Sequence, residues 1–128
     1  MDEKFSISEL AKRAGYRPGM IRHFEKLGVM TPSTRTAAGY RLFEPHHVEE
    51  LRFAREMQDL GFYAREIKAL REIKLSNNSM GEKREAINKV FQDHAKYVED
   101  KATYFANLKE RLGVAAENFI DRVLTIDC

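Results

Sequence analysis

Pro18-Gly19-Met20-Ile21-Arg22-His23-Phe24-Glu25-Lys26-Leu27-Gly28 reads as one short helix with two unlike faces. Pro18 sits where a first helical turn tolerates a residue without an N–H, and Gly28 ends the helix. Ile21, Phe24 and Leu27, spaced three apart, form one buried stripe. Arg22, His23, Glu25 and Lys26 are left facing outward. Upstream, Ser6-Ile7-Ser8-Glu9 places Ser and Glu three apart ahead of Leu10, a capping-box start to an earlier helix. That helix runs to about Ala14 and ends at Gly15. Two short helices joined by a Gly-containing turn make a helix-turn-helix.

Downstream of Gly28, Pro32 prevents the helix from resuming. A Thr/Ser/Ala/Gly-rich stretch leads to Gly39, and Tyr40-Arg41-Leu42-Phe43 alternates and is aromatic. This predicts a small β-hairpin, or wing, with its tip around Thr36 to Gly39. Pro45 starts a third helix that ends near Leu60-Gly61, with Val48, Leu51, Ala54, Met57 and Leu60 inward. A fourth, about Ala64 to Lys74, carries Ile67, Leu70 and Ile73 as its stripe.

The chain has 128 residues, enough for one compact domain or a small module with an appendage. With 33% charged and 43% hydrophobic residues it is neither a disordered polar tract nor a membrane protein. No apolar run is long enough to span a bilayer, and the N-terminus lacks a secretory pattern. The single cysteine, Cys128, cannot close an internal disulfide, which fits a reducing compartment and a cytoplasmic location. A secreted scaffold, a zinc finger and a membrane helix are excluded. The four histidines, His23, His46, His47 and His94, form no catalytic pattern with a nucleophile or carboxylate pair, so no enzyme is expected.

Net charge is only +2, but it is unevenly placed. Between Ala11 and Phe43, Lys12, Arg13, Arg17, Arg22, Lys26, Arg35 and Arg41 face one acid, Glu25. A basic head therefore sits on a mildly acidic body. Such a surface suits phosphates, whose neutralisation releases counterions.

After the polar linker Ser76-Asn77-Asn78-Ser79, a second capping box opens a helix of about thirty residues that is expected to stop at Gly113. Phe91, Val98, Phe105 and Leu112 recur every seven residues, beside Ile87, His94, Lys101 and Leu108. That repeat argues for pairing with the same helix of a second copy, with His94 and Lys101 as flaws in the seam. From Ala115 to Ile126 a short helix is expected to fold back, with Ala116, Phe119, Ile120, Val123 and Leu124 on one face.

In this order and at these intervals the chain resembles the MerR family of bacterial transcription regulators. The likeness is carried by Ile7-Ser8-Glu9-Leu10-Ala11, Ile21-Arg22-His23-Phe24-Glu25 with Leu27-Gly28, Pro32 and Arg35, Gly39-Tyr40-Arg41-Leu42-Phe43, and Leu60-Gly61-Phe62 with Glu66-Ile67. It implies a mainly α fold: a winged helix-turn-helix DNA-binding head, linking helices and a long antiparallel coiled-coil dimerisation helix with a short C-terminal helix. The expected partition is a head with linking helices over 1–75, the dimerisation helix over 76–113 and an effector or packing segment over 114–128.

The resemblance implies a homodimer on double-stranded promoter DNA, with RNA polymerase as a partner at the promoter and no membrane. Effector binding would bend and untwist an overlong spacer, with contacts offsetting the deformation. Arg17, Met20, Arg22 and His23 are then expected at the groove, Arg35, Tyr40 and Arg41 at the wing, and Tyr63 at a second phosphate contact. Two departures stand out. Arg17 occupies the position before the groove helix where relatives place Ser or Thr, and His23-Phe24 replaces a pair of aromatics.

Relatives that sense metals use thiolates from a loop after the dimerisation helix. Here Ala115, Ala116 and Glu117 stand where the first is expected, and one Cys per chain is too few without sharing. No cofactor or resident metal is expected. The effector is expected to be a small organic molecule or stress signal, with Phe62, Tyr97, Tyr104, Phe119 and Cys128 as candidate contacts. Two alternatives stay open: a helical adaptor working through its coiled coil, and a diverged metal-responsive regulator using Cys128.

Overall fold

The structure is a computed structural model and describes residues 3–125. The elements are α1 (Ile7–Ala14), α2 (Pro18–Leu27), β1 (Thr34–Arg35), β2 (Arg41–Leu42), α3 (Pro45–Asp59), α4 (Ala64–Leu75) and α5 (Met80–Thr125). The chain divides into two units, Met1–Ile87 and Asn88–Cys128.

The first unit is the head. α1 begins where Ser6 Oγ accepts the Glu9 N–H at 3.2 Å. The expected reciprocal bond from Glu9 gives way to an ion pair with Arg13 at 3.1 Å. Leu10, Ile21, Phe24, Val29, Met30, Phe43, Leu51, Ala54, Phe62 and Ile67 form the core, so α1 to α4 all contribute apolar surface, joined by Val29 and Met30 after α2 and by Phe43 just past β2. Phe5 is buried with them, and its N–H and C=O bond the Phe43 C=O and N–H at 2.9 and 2.8 Å, tying the chain start to the foot of the wing.

Two expected inward residues lie outside. Leu27 and Leu60 are exposed, because each ends its helix where the chain turns away from the core. Ile73 is only half buried near the end of α4.

The wing is an antiparallel pair, Thr34 opposite Leu42 and Arg35 opposite Arg41. Gly39 takes φ 90° at its tip, a conformation costly for any side chain.

The second unit continues α5, and here the sequence expectation is corrected. Gly113 does not stop the helix: one 46-residue helix runs from Met80 to Thr125, and among the described residues no separate C-terminal helix folds back. A lone mid-helix glycine costs only about 1 kcal/mol relative to alanine. Val114-Ala115-Ala116-Glu117 follows with three strong helix formers, Ala115, Ala116 and Glu117, and no proline, and Gly113 is not among the glycines with positive φ. The seven-residue repeat therefore extends from Phe91 to Phe119. Phe91, Val98, Phe105, Leu112 and Phe119 are all exposed in the single chain. The pairs Lys89–Asp93 and Lys96–Asp100 flank the repeat at 3.2 and 3.3 Å on a polar face.

Candidate nucleic-acid interface

The turn between α1 and α2 is held from outside. Gly15 takes φ 73°, and its N–H reaches the Ala11 carbonyl at 2.9 Å. From α3, the Arg55 guanidinium donates to the Gly15 carbonyl at 2.5 Å and lies 4.2 Å over the Tyr16 ring. Tyr16 also donates to Gln58 Oε1 at 2.7 Å and meets Phe24 edge-on at 5.4 Å. Burial raises the Tyr16 hydroxyl above its ordinary pKa. Its role here is packing and hydrogen bonding rather than proton transfer.

With α2 so anchored, Ile21 and Phe24 go inward and Met20, Arg22, His23 and Lys26 stay exposed. Arg17 is the N-cap residue and makes no side-chain cap bond, as a donor-only side chain must. In the first turn of α2, Pro18 carries no N–H and the Met20 amide bonds the Arg17 carbonyl at 3.0 Å, so the exposed side chains of this helix rather than its first amides offer the contacts.

Glu25, the one acid in the basic segment, is expected to face outward with Arg22, His23 and Lys26, but its side chain turns inward to Ser33 and Arg41. It is the residue that joins α2 to the wing. Its Oε2 accepts the Ser33 N–H at 2.5 Å and the Ser33 hydroxyl at 2.6 Å, while Oε1 takes Arg41 Nε at 2.7 Å. Burial alone would raise its pKa, but the bonds from Ser33 and Arg41 outweigh burial and hold it below the usual carboxylate value. Arg41, expected on phosphate, is thus half buried against an acid. Arg35 braces the hairpin by donating to the Gly39 carbonyl at 2.7 Å, and Tyr40 at the tip is 73% exposed.

A second polar junction forms where the chain leaves α2. Glu50 Oε1 accepts both the N–H and the hydroxyl of Thr31, at 2.9 and 2.8 Å. Arg71 of α4 completes it, 3.4 Å from Glu50 and 2.9 Å from Thr31 Oγ1. Burial pushes the Glu50 carboxyl up, yet its bonds from Thr31 and His46 bring it below the ordinary value. Spacing alone held no signal for this network, because its members lie 19 to 40 residues apart.

Among the described residues, His46, His47 and Glu50 are the group whose donor atoms lie within 4.8 Å of one another. The arrangement is not a ready metal cage. His47 Nδ1 accepts the Glu44 N–H at 3.0 Å and Nε2 faces the Thr31 carbonyl at 3.0 Å, so both nitrogens already serve the fold.

Tyr63 caps α4, is half exposed, and lies under the Arg65 guanidinium at 5.7 Å. Of the candidate effector contacts, Phe62 is only 4% exposed and belongs to the head core. Tyr97 and Tyr104 on α5 bracket Lys101, whose ammonium lies 5.7 Å from each ring. Lys101 is thereby drawn toward the tyrosine track. Phe119 lies on an open apolar face with Leu112, Ala115 and Ala116. Cys128 lies outside the described residues.

Residues 5–73 match the model of the MerR HTH family regulatory protein. The mercuric resistance operon regulatory protein of Bacillus cereus is 42% identical over 67 residues, 52% of this chain and 51% of that one. The HTH-type transcriptional regulator ZntR homolog of Haemophilus influenzae is 30% identical over 106 residues, 83% of this chain and 76% of that one. In fold, the lead(II) complex of the transcription regulator PbrR691 from Ralstonia metallidurans CH34 is similar with a TM-score of 0.77. It is 23% identical, covering 88% of this chain and 86% of that one. The chain spans about half the length of the first curated relatives it matches, 44% and 51%. The family model and the Haemophilus relative together carry the assignment: the chain belongs to the MerR helix-turn-helix family of regulatory proteins.

Proposed function

We propose that two copies of this chain join through α5 and bind a promoter, with α2 in a major groove and the wing on the flanking backbone. The observation that carries the reading is the outer face of α2. Arg22, His23 and Lys26 point away from the core, and no carboxylate among the described residues pairs with Arg22 or Lys26. Arg17 and Met20 lie at the start of the same helix, Arg35 and Tyr40 on the wing, and Tyr63 at the cap of α4. The dimer acts by distorting a promoter with an overlong spacer so that RNA polymerase engages both its elements. The apolar repeat of α5, exposed in one chain, supports pairing with a second copy.

The effector is a small organic molecule or stress signal, seated against the α5 aromatics Tyr97, Tyr104 and Phe119. A metal-responsive reading has its own support, since one relative is named for mercuric resistance, another as a heavy metal-dependent regulator, and one similar structure holds lead(II). In that reading Cys128 supplies a shared ligand.

Selection of duplexes from a random pool by the full-length protein, followed by titration against salt, tests the DNA reading. Strong, salt-dependent binding of an enriched sequence supports it, and absence of duplex binding favours the adaptor. A thermal-shift screen against soft and divalent metals and small organics, with Cys128→Ser in parallel, separates the effector classes. A metal-induced shift lost in Cys128→Ser would favour the metal reading.

A further inference from the structure

Removing a carboxylate from a DNA-facing surface ordinarily strengthens binding, because one repulsion with phosphate disappears. Glu25 is the one acid between Ala11 and Phe43 and sits on the helix assigned to the groove. Electrostatics alone therefore marks it as a defect in the interface. Its contacts point to a different role.

We infer that Glu25 is a positioning residue, clamping the wing to α2 through Ser33 and Arg41 so that both reach the duplex at one preset spacing. The inference rests on the DNA-binding reading above.

Three observations support it. The Glu25 side chain is only 13% exposed, and both its oxygens are engaged at 2.5 to 2.7 Å, a full set of short charge-assisted bonds. Those partners lie on either side of the hairpin: Ser33 immediately precedes β1 and Arg41 opens β2. One carboxylate thus holds both legs of the wing. The wing itself is weakly built, with two residues per strand and an exposed tip, too short to hold its angle by sheet bonds alone. The Phe5–Phe43 pairing anchors its foot to the chain start. The clamp anchors it to the groove helix. Arg41 is in this arrangement a strut rather than a phosphate ligand, and Arg35 and Tyr40 are left to meet the backbone.

The test uses full-length Glu25→Gln, Arg41→Gln and the double variant. The probes are a duplex enriched from a random pool by the wild-type protein and an unrelated duplex of equal length. Affinity is read by fluorescence anisotropy at several salt concentrations, and bending by energy transfer between the duplex ends. Backbone hydrogen exchange over residues 31–42 is followed without DNA.

Glu25→Gln is expected to weaken binding of the enriched duplex by about tenfold or more, although it makes the protein more positive. It should also reduce the bend and speed exchange across the wing, with α3 still protected. Arg41→Gln should produce the same losses without lowering the salt slope, and the double variant should be little worse than either single one. Unchanged or tighter binding with the same bend in Glu25→Gln overturns the inference. So does an Arg41→Gln variant whose salt slope falls by about one phosphate contact with additive losses. If the wild-type protein enriches no duplex, the DNA reading fails by itself. Exchange then decides the clamp, and unchanged wing exchange in Glu25→Gln rejects it.

Discussion

His47 Nε2 lies 3.0 Å from the carbonyl oxygen of Thr31, across the junction where the chain leaves α2 for the wing. The other nitrogen accepts the Glu44 N–H, which fixes the tautomer: Nδ1 bare, Nε2 protonated and donating. One ring thereby caps α3 and satisfies a loop carbonyl, and it does both only while neutral.

The first prediction concerns pH. Burial lowers the His47 pKa below its ordinary 6.5, and the charge of adjacent His46 adds to this. Glu50 and the carbonyls of Thr31 and Pro32 pull the other way without reversing it. The facing groups are Glu44 at the N-cap of α3, His46 and Glu50 from α3 and, beyond Thr31, Arg71 from α4. A base whose folded pKa is depressed contributes stability in full above its unfolded value. That contribution is lost as pH falls below about 6.5 toward the folded value. Thermal melts of the protein should therefore decline over that window. His47→Gln should melt lower at neutral pH with a flatter profile there. An unchanged profile in the variant would remove His47 as the source.

Arg22 gives a prediction on binding. Exposed on α2 and free of any carboxylate among the described residues, it should cost about 1–3 kcal/mol of DNA affinity as Arg22→Ala. Dimerisation and melting temperature should hold. If Arg22 meets a phosphate the salt slope becomes shallower by about one contact, and if it meets a base the losses concentrate on particular sequences. Affinity equal to wild type would take Arg22 out of the interface.

The exposed repeat of α5 predicts an oligomeric state. Phe105→Glu with Val98→Glu would bury charge in any helix pair formed through that stripe, at several kcal/mol. Sedimentation should show wild-type dimers and variant monomers, with the circular dichroism of the head helices retained. A variant that stays dimeric would move the seam to another face.

Gly113 offers a test of the helix itself. A Cβ there would meet nothing within 4 Å, and the backbone is helical. Gly113→Ala should raise stability by about 0.5–1 kcal/mol and leave helicity equal or higher. Were Gly113 a helix stop with positive φ, the same substitution would destabilise instead. Guanidinium unfolding followed at 222 nm distinguishes the two signs.

Much of the head was readable without coordinates because its determinants are local. Pro18 and Gly28 bound α2 as their chemistry requires, and the hairpin tip falls between Thr36 and Tyr40 as the Gly39 turn predicts. Gly113 misled for a complementary reason. A glycine signals a helix end only when the following residues refuse to continue, and here Val114 to Glu117 continue readily. Arg41 shows a different limit. Its charge was visible, but whether it faced solvent or an acid depended on Glu25, sixteen residues away.

Within the head, the order and type of elements, the ends of α1 and α2 and the basic segment were therefore determined by the chain alone, since each depends on neighbours within one or two turns. Tertiary structure decided which charges stay available and which are consumed. Glu25 with Arg41, Glu50 with Thr31 and Arg71, and His47 with Thr31 pair groups that come together only when α2, the wing, α3 and α4 pack. A half-buried charge must find a partner or lose its charge, and that requirement, absent from the unfolded chain, is what selects them.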